Sequence, residues 1–291
     1  MYEPHQLQAL TAAVAEGTFE AAARALHVTP SAISQRVRAL ETATGRVLLV
    51  RTKPVRATAS GEVLLRLARQ TALLSAETAA ELGEADGPTT LAVAVSADAL
   101  ATWVLPALAP LADGTCFHLL REDESWTSEL LRGGAAVAAI TAEARPVAGC
   151  VVTPLGSMRY RPMASPGFVE RWFPDGATAE ALAHAPVVVF DRVDRLQHDW
   201  LRSRAGGDAQ PPTHMVPSSA DFARAVRLGL GWGMVMELQL DDAPGLPLVE
   251  LVPGETVEVP LFWQQWRLRT PSLDRLAEAV TTAARAALSK R

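Results

Sequence analysis

The alternation of apolar and polar residues predicts three short helices in the first 45 residues. In the stretch LQALTAAVAEG, Leu7, Leu10 and Val14 fall on one helical face, before a glycine that favours a turn. A second helix is expected after Thr18, whose hydroxyl can cap it, because apolar residues again recur at spacings of three and four. Three short helices joined by tight turns are typical of a helix-turn-helix domain.

The third helix has the features of a surface that reads DNA. Thr29 is a suitable N-cap, the proline after it suits the first helical position, and Gly45 suits the end. One face of this helix is apolar, whereas the opposite face carries short polar side chains and arginines that can pair with phosphates and base edges. From this helix we expect DNA contacts by Thr29, Pro30, Ser31, Ser34, Gln35, Arg36 and Arg38.

The segment after the third helix, VLLVRTKPVRAT, is expected to form two short strands around a basic turn. Arg51, Lys53 and Arg56 would then contact phosphates, and the domain would be a winged helix-turn-helix. The alternative interpretation is a small helical bundle whose polar face is only solvated.

From residue 59 to about residue 83, an uninterrupted helical pattern predicts a long linker helix. Residues spaced alternately by three and four would form a short coiled-coil seam between two copies of the chain. The seam residues are Leu64, Leu67, Thr71, Leu74 and Thr78. The alternative is a helix that packs on its own domain. The sequence GEADGP, which begins at Gly83, is expected to be a hinge.

Beyond the hinge, short apolar runs alternate with helical segments, which predicts an α/β fold with largely parallel sheets. The predicted strands include LAVAVS, CFHLLRE, AAVAAIT, APVVVF, THMVPS and VPLFWQQW. The glycine-rich stretch GLGWG matches no phosphate-binding pattern, and we expect it to pack a helix against a strand.

Charge is distributed unevenly along the chain. Residues 1–60 carry seven arginines or lysines and four glutamates, whereas the full chain has a net charge of -5. A basic head on an acidic body favours DNA binding. No apolar run reaches the roughly 18 residues that span a bilayer. The N-terminus lacks the pattern of an export signal, and Cys116 and Cys150 are expected to be buried thiols, so a cytoplasmic protein is predicted.

Catalytic motifs are missing from the sequence. It contains no GxSxG, no HExxH and no P-loop, and its six histidines are scattered. We therefore expect no enzymatic activity, no cofactor and no bound metal.

The run GTFEAAARALHVTPSAISQRVRALETATGRVLLVR resembles the N-terminal domain of LysR-type transcriptional regulators. In that family the third helix reads the major groove of double-stranded DNA, and the wing holds the DNA backbone. The resemblance also implies a linker helix that pairs subunits into homodimers, often assembled into tetramers, and it allows a contact with RNA polymerase. It further implies an effector domain like a periplasmic binding protein, with a ligand cleft between two subdomains.

The expected fold is therefore an α+β chain of two parts: a winged helix-turn-helix, a long linker helix, and an α/β periplasmic-binding-protein-like effector domain of two subdomains. The expected bounds are residues 1–58 for the DNA-binding domain, 59–83 for the linker and 88–291 for the effector domain. Subdomain I would take about residues 88–158 and 262–291, and subdomain II about 159–261, with crossings near 155–161 and 260–263.

Four further stretches resemble the ArgP/LysG branch of this family: VSADALATWVLPAL, FDRVDRLQHDWL, HMVPSSADFARAVRLGLGWGMVMELQ and VPLFWQQWRL. The similarity covers nearly the full chain. That branch senses basic amino acids, chiefly lysine and arginine, and commonly controls the gene of a basic amino-acid exporter. The resemblance therefore implies a basic amino acid as the effector.

Polar residues at the ends of predicted strands are candidates for effector contacts, because an amino acid needs donors for its carboxylate and acceptors for its ammonium groups. These candidates are Ser96, Asp98, Asp123, Trp126, Thr141, Asp191, Ser218 and Ser219. In the alternative interpretation Asp98 and Ser219 are only helix caps and Glu124 is only solvated. Trp126 and Ala99 depart from the residues usual in the branch, and Trp126 could narrow the pocket or stack on a guanidinium.

Two other functions remain open from the sequence. The chain could be a LysR-type regulator with a different small-molecule effector. It could also be a solute-binding protein or an enzyme that uses the same two-lobed fold, although the basic head disfavours this class.

Overall fold

The computed structural model of the chain describes residues 2–84, 87–121, 124–205, 209–240 and 245–289, and only the backbone of residues 124–126 and 205. The helices are α1 (Pro4–Ala15), α2 (Phe19–Ala25), α3 (Pro30–Thr44), α4 (Ala59–Glu81), α5 (Ala97–Ala99), α6 (Leu105–Leu108), α7 (Glu124–Arg132), α8 (Pro166–Trp172), α9 (Ala179–His184), α10 (Leu196–Ala205), α11 (Ser219–Arg227) and α12 (Pro271–Ala287). The strands are β1 (Leu49–Val50), β2 (Arg56–Ala57), β3 (Thr89–Val95), β4 (Thr115–Arg121), β5 (Ala138–Thr141), β6 (Cys150–Ala164), β7 (Val187–Val189), β8 (Thr213–Met215), β9 (Gly233–Met236), β10 (Val249–Glu250) and β11 (Val257–Trp266). Between α5 and α6, Leu100–Val104 is π-helical.

These elements form two compact units, each made of three segments of chain. The first unit contains Met1–Ala94, Leu111–Val152 and Gln264–Ala277. The second unit contains Val95–Pro110, Thr153–Trp263 and Glu278–Arg291.

The start of the first unit is a three-helix core with a small wing. Thr18 and Thr29 cap α2 and α3 as the sequence predicts, because each hydroxyl accepts a backbone N–H three residues on, at 3.1 and 3.2 Å. Gly45 ends α3 with a φ of 65°, which confirms its predicted role. The predicted wing is also present, since β1 and β2 pair antiparallel. The core is formed mainly by Leu7, Leu10, Ile33, Val37, Leu40, Leu48, Leu64 and Leu65.

The linker helix α4 uses its faces differently from the prediction. Leu64 was expected in an intermolecular seam, but it is buried in the core of the three-helix domain, so this assignment is wrong. Its neighbour Leu65 packs there too, because the first turns of α4 complete the apolar core beside α1. Leu67 and Leu74, which were also predicted for the seam, are exposed, and so is Val63, which was not. Helical periodicity alone could not separate these two faces.

The rest of the first unit is a sheet with helices against it. β3 and β5 pair in parallel, and the strand order here is β11, β5, β3, β4. The Trp266 backbone N–H donates to the Val137 oxygen at 3.1 Å, which fixes the end of β11 beside β5. Cys150 is buried as expected, and its burial raises the pKa of the thiol to about 11. Cys116 is exposed, so the prediction of two buried thiols was wrong for this residue.

The second unit contains both parallel and antiparallel pairing. β6 pairs antiparallel with β9 and with β10, whereas β7 and β8 are parallel. The expectation of largely parallel sheets is therefore corrected to a mixed sheet. Gly233, the last residue of GLGWG, would bring a Cβ to 2.9 Å from the Phe222 ring. The glycine-rich stretch thus packs α11 against β9, as predicted.

Within the described parts of the chain, the helices are all too short or too polar to cross a membrane.

Candidate DNA-binding and effector sites

The outward face of α3 carries the side chains that the sequence predicts for reading DNA. Ser31, Gln35 and Arg38 are exposed, whereas Ser34 and Arg36 are half-buried. The opposite face is anchored by three apolar side chains that are fully buried, so the polar face is held outward by packing rather than by contacts of its own. This is the arrangement that a major-groove helix requires.

The predicted phosphate contacts lie on the wing. Arg51, Lys53 and Arg56 are all exposed. The wing is tied to the helical core, because the Val55 N–H donates to the Gly17 oxygen at 2.8 Å. Arg51 is also oriented from within the domain, with its guanidinium 5.7 Å from the Phe19 ring centroid. The wing therefore presents three cations on a fixed strand pair.

In the second unit, the acidic residue Asp98 forms the centre of a polar cluster. The Tyr160 hydroxyl donates to Asp98 Oδ2 at 2.7 Å, and the Ser219 hydroxyl donates to the same carboxyl group. Burial raises the pKa of the Asp98 carboxyl above its usual range, the two hydroxyl donors oppose that rise, and the nearby charge of Asp194 adds to it. Asp98 keeps partial exposure, so a cation could reach it.

Ser96 and the helix that follows hold Asp98 in place. Ser96 Oγ accepts the Ala99 N–H at 3.4 Å, so Ser96 is the cap of α5 and Asp98 lies in its first turn. The Asp98 backbone oxygen accepts the Thr102 hydroxyl at 2.7 Å, within the change from α- to π-helical geometry. Ser96 therefore caps the helix, whereas the Asp98 side chain belongs to the polar cluster.

The two serines before α11 have different roles. Ser218 is the N-cap, because its Oγ accepts the Asp221 N–H at 3.5 Å. Ser219 is buried, and its Oγ lies 3.3 Å from Gln239 Nε2, which donates to it. Since Ser219 also donates to Asp98, it is part of the polar cluster and not the cap of the helix.

Asp191, by contrast, is used in a turn. Its Oδ1 accepts the N–H groups of Val193 and Asp194 at 2.8 and 2.9 Å. Asp194, which the sequence analysis did not select, is the carboxylate whose charge acts on Asp98. Its own oxygens accept the backbone N–H groups of Phe190 and Leu196, both at 3.0 Å.

The remaining candidates belong to the first unit. Thr141 is buried at the end of β5, and its Oγ1 accepts the Glu143 N–H at 3.1 Å. Glu143 in turn accepts a hydrogen bond from the Ser128 hydroxyl. Asp123 lies outside the described residues, and the side chains of Glu124 and Trp126 are likewise outside them.

Tyr160 is the member of the polar cluster that the sequence analysis missed. It lies 62 residues from Asp98 on the long strand β6, in a segment where the sequence analysis placed only a crossing between subdomains. Among the described residues, no group of three His, Cys, Asp or Glu side chains is placed to hold a metal ion.

Comparison with known proteins covers the whole chain. The family described as "Bacterial regulatory helix-turn-helix protein, lysR family" matches residues 4–62, and the "LysR substrate binding domain" matches residues 85–285. The lysine export transcriptional regulatory protein LysG of Corynebacterium efficiens is 45% identical over 290 residues, which cover 98% of this chain and 99% of that protein.

Solved structures agree with this match. The crystal structure of ArgP from Mycobacterium tuberculosis is 44% identical, covers 100% of both chains and has a TM-score of 0.90. Full-length LysG from Corynebacterium glutamicum with bound effector Arg is 40% identical, covers 99% of both chains and has a TM-score of 0.82. These matches confirm the predicted fold, with a helix-turn-helix domain followed by an effector domain. The chain belongs to the LysR family of bacterial helix-turn-helix transcriptional regulators, in the branch that includes LysG and ArgP.

Proposed function

We propose that the chain is a cytoplasmic transcriptional regulator that senses lysine or arginine and controls a gene for basic amino-acid export. A relative at 45% identity is named for lysine export, and a structure at 40% identity holds arginine as its effector. The protein acts by binding, without catalysis and without a cofactor. DNA and a second copy of the chain are its proposed partners, with RNA polymerase as a further one.

The observation that carries the proposal is the polar cluster around Asp98. A partly exposed carboxyl group that two hydroxyl donors orient is a good acceptor for an ammonium or guanidinium group. An acidic effector without a cationic group would place a second negative charge beside this carboxyl group, which disfavours the alternative of an aromatic or other small acid. We assign Asp98 and Ser219 to the effector's cationic group.

We propose that the other candidate residues position the cluster or contact other parts of the effector. Ser96 and Ser218 cap helices next to the cluster and position its members. We propose that Asp191 shapes the turn that brings Asp194 close to Asp98. Thr141, Asp123 and Trp126 remain proposed contacts for the rest of the effector.

We propose that residues 1–58 bind DNA, that residues 59–83 pair two subunits, and that residues 88–291 bind the effector. Exposed Val63, Leu67 and Leu74 form an apolar stripe along α4, with the exposed Thr71 and Thr78 at intermediate turns. Pairing two such stripes would hide apolar surface and would hold two reading helices at a fixed spacing on DNA. The outward residues of α3 would read bases, and Arg51, Lys53 and Arg56 would contact phosphates.

The effector can control transcription only if it binds one arrangement of the subunits more tightly than the other. We propose that the polar cluster around Asp98 is formed in only one of these arrangements, so that pairing Asp98 with the effector's cationic group favours that arrangement.

The test is transcription in vitro from the DNA upstream of the chain's own and neighbouring genes, with the full-length protein. L-lysine or L-arginine is expected to change the transcript yield, whereas L-leucine is the neutral control. A protein that binds this DNA but responds to neither basic amino acid would contradict the proposed effector and leave the regulator class standing. A protein without DNA binding would instead support the solute-binding alternative.

A further inference from the structure

An acidic side chain of the linker helix is buried away from the DNA-binding head. Glu77 is only 7% exposed, although it lies on α4 between solvent-facing residues. Its Oε1 accepts the hydroxyl of Ser272, and its Oε2 accepts the Ser272 backbone N–H at 3.4 Å. A buried carboxyl group with two donors from a single residue is a specific contact, because an unpaired one would be costly to bury.

The partner of Glu77 is the beginning of α12. Ser272 is the second residue of that helix, whose first turn has N–H groups without helical acceptors. Thr270 satisfies another of them, since its Oγ1 accepts the Leu273 N–H at 3.4 Å. A carboxylate is stabilised at a helix N-terminus by the helix dipole. The linker helix therefore holds α12 at its N-terminal end.

The chain of α12 passes from the first unit to the second after Ala277. At its far end, Ser289 exchanges two backbone hydrogen bonds with Ser157 of β6, at 3.1 and 3.2 Å, and its hydroxyl adds a third at 3.0 Å. The approach is close, because a Cβ at Gly156 would lie 2.8 Å from the Ser289 oxygen. The segment that directly follows α12 is thus fixed to β6, as the first turn of α12 is fixed to α4.

The same strand carries Tyr160 of the polar cluster that we propose binds the effector (the effector cluster: Asp98, Tyr160 and Ser219). Ser157 and Tyr160 both lie on β6, three positions apart, and Tyr160 donates to Asp98. A helix fixed at both ends transmits a displacement of either end, because its backbone ladder resists compression and packed elements shift as rigid bodies.

We propose that α12 transmits the state of the effector cluster to the linker helix, and that Glu77 is the positioning residue through which α4 follows α12. This inference rests on the proposed function, since it describes the regulation of the same site. Effector bound at Asp98 moves Tyr160 and β6, β6 moves the Ser289 end of α12, and Ser272 moves Glu77. Two further contacts of α4, from Arg66 to the Ala148 oxygen and from Arg69 to the Gly133 oxygen, hold the helix on the same unit without reaching α12.

The test compares Glu77→Gln with Glu81→Gln, a matched substitution at an exposed position of the same helix. Glutamine keeps the size of the side chain but cannot accept the Ser272 N–H with its amide nitrogen. We expect Glu77→Gln to bind arginine within about twofold of the wild type by calorimetry, while the arginine-dependent change in transcript yield falls by about fivefold or more. Glu81→Gln should keep both.

A second variant covers the other end of the path. Ser289→Ala deletes one hydrogen bond to Ser157 and touches neither α4 nor the effector cluster, and it should also weaken the response without weakening arginine binding. A full response in both Glu77→Gln and Ser289→Ala would overturn the inference. Loss of arginine binding in Glu77→Gln would also overturn it, because Glu77 would then act on the site itself. If the wild type itself does not respond to arginine, the proposed function is contradicted. This outcome differs from a failure of the inference about Glu77, in which the wild type responds and both variants respond equally.

Discussion

The DNA-binding head and the effector cluster are assembled from the chain in different ways. In the head, the residues expected to contact DNA lie between Thr29 and Arg56, on one helix and one wing. They point outward and leave the apolar core beneath them undisturbed. In the effector cluster, Asp98, Tyr160 and Ser219 come from three distant elements, and Tyr160 and Ser219 both hydrogen-bond to Asp98.

In the DNA-binding head, the residues expected to contact DNA are therefore separate from those that stabilise the fold. In the effector cluster, the same residues are expected to do both. We expect the substitution of an exposed polar residue on α3 to remove a DNA contact and to change the free energy of unfolding little. We expect the substitution of a member of the effector cluster to change both effector binding and the free energy of unfolding, because these groups are partly buried and paired.

The largest effect is expected from Gly61→Ala, which tests whether DNA binding can be lost while arginine binding is kept. Alanine normally stabilises a helix relative to glycine, but a Cβ at Gly61 would lie 2.0 Å from the Leu48 oxygen. Overpacking of this kind costs about 1–3 kcal/mol or more, and we expect DNA binding to be lost. Fluorescence anisotropy with labelled DNA and calorimetry with arginine measure the two functions. Gly87→Ala is the control, because nothing lies within 4 Å of its Cβ position. Loss of arginine binding in Gly61→Ala would show that the regions are not independent.

Next in size are substitutions on the reading surface. Gln35→Ala should cost about 1–3 kcal/mol of binding to the specific site and should relax the preference for one base pair. Lys53→Ala should weaken binding to all sequences alike and reduce the slope of affinity against salt by about one counterion. Melting temperatures of both variants should match that of the wild type. A change in specificity with Lys53→Ala, but not with Gln35→Ala, would contradict the assignment of the two surfaces.

A smaller effect is expected on the pH profile of effector binding. The bond from Tyr160 favours the ionised form of Asp98, so Tyr160→Phe should raise the pKa of that carboxyl further. We expect arginine to bind the ionised carboxylate, so its affinity should be lost as the pH falls through this pKa. The loss should begin at a higher pH in the variant. Titrations with arginine over a pH series measure this shift. Asp194 and Ser219, the other groups that act on Asp98, are the same in the wild type and the variant. An unaltered profile would remove Tyr160 from the site.

The smallest expected effect concerns stability without effector. Because the pKa of Asp98 is raised on folding, the folded protein holds this proton more tightly than the unfolded chain. The free energy of unfolding therefore decreases as the pH rises from the ordinary aspartate pKa through the raised one. Asp98→Asn should remove this decrease and leave the unliganded protein slightly more stable at neutral pH in thermal melts. Asp199→Asn, an exposed aspartate that pairs with Arg202, should not. Destabilisation by Asp98→Asn would mean that Asp98 has a structural role.

The same comparison explains what the sequence could predict. The caps at Thr18 and Thr29 and the glycine at Gly45 act on neighbouring N–H and C=O groups, so their roles follow from local sequence. Apolar periodicity placed α4 but assigned Leu64 to the wrong partner, because a helix with two apolar faces does not show which face meets which surface.

Contacts between residues that are far apart in the sequence could not be predicted from local sequence. Asp98 was predicted from its place after a strand, but Tyr160 was missed since nothing local marks a tyrosine as its donor. Asp191 has the right position and charge for a ligand contact, yet it satisfies N–H groups in its own turn. Glu77 was not selected from the sequence, because its partner, Ser272, lies 195 residues further along the chain.

The central claim, that a basic amino acid binds at Asp98, is tested most directly by calorimetric titration of the wild type and of Asp98→Asn with L-arginine, L-lysine and L-leucine. We expect the wild type to bind arginine or lysine and not leucine. We expect Asp98→Asn to bind the same ligand about tenfold or more weakly, a loss of about 1.4 kcal/mol or more. Equal affinity in the wild type and in Asp98→Asn would contradict the claim and move the effector's cationic group to another part of the protein.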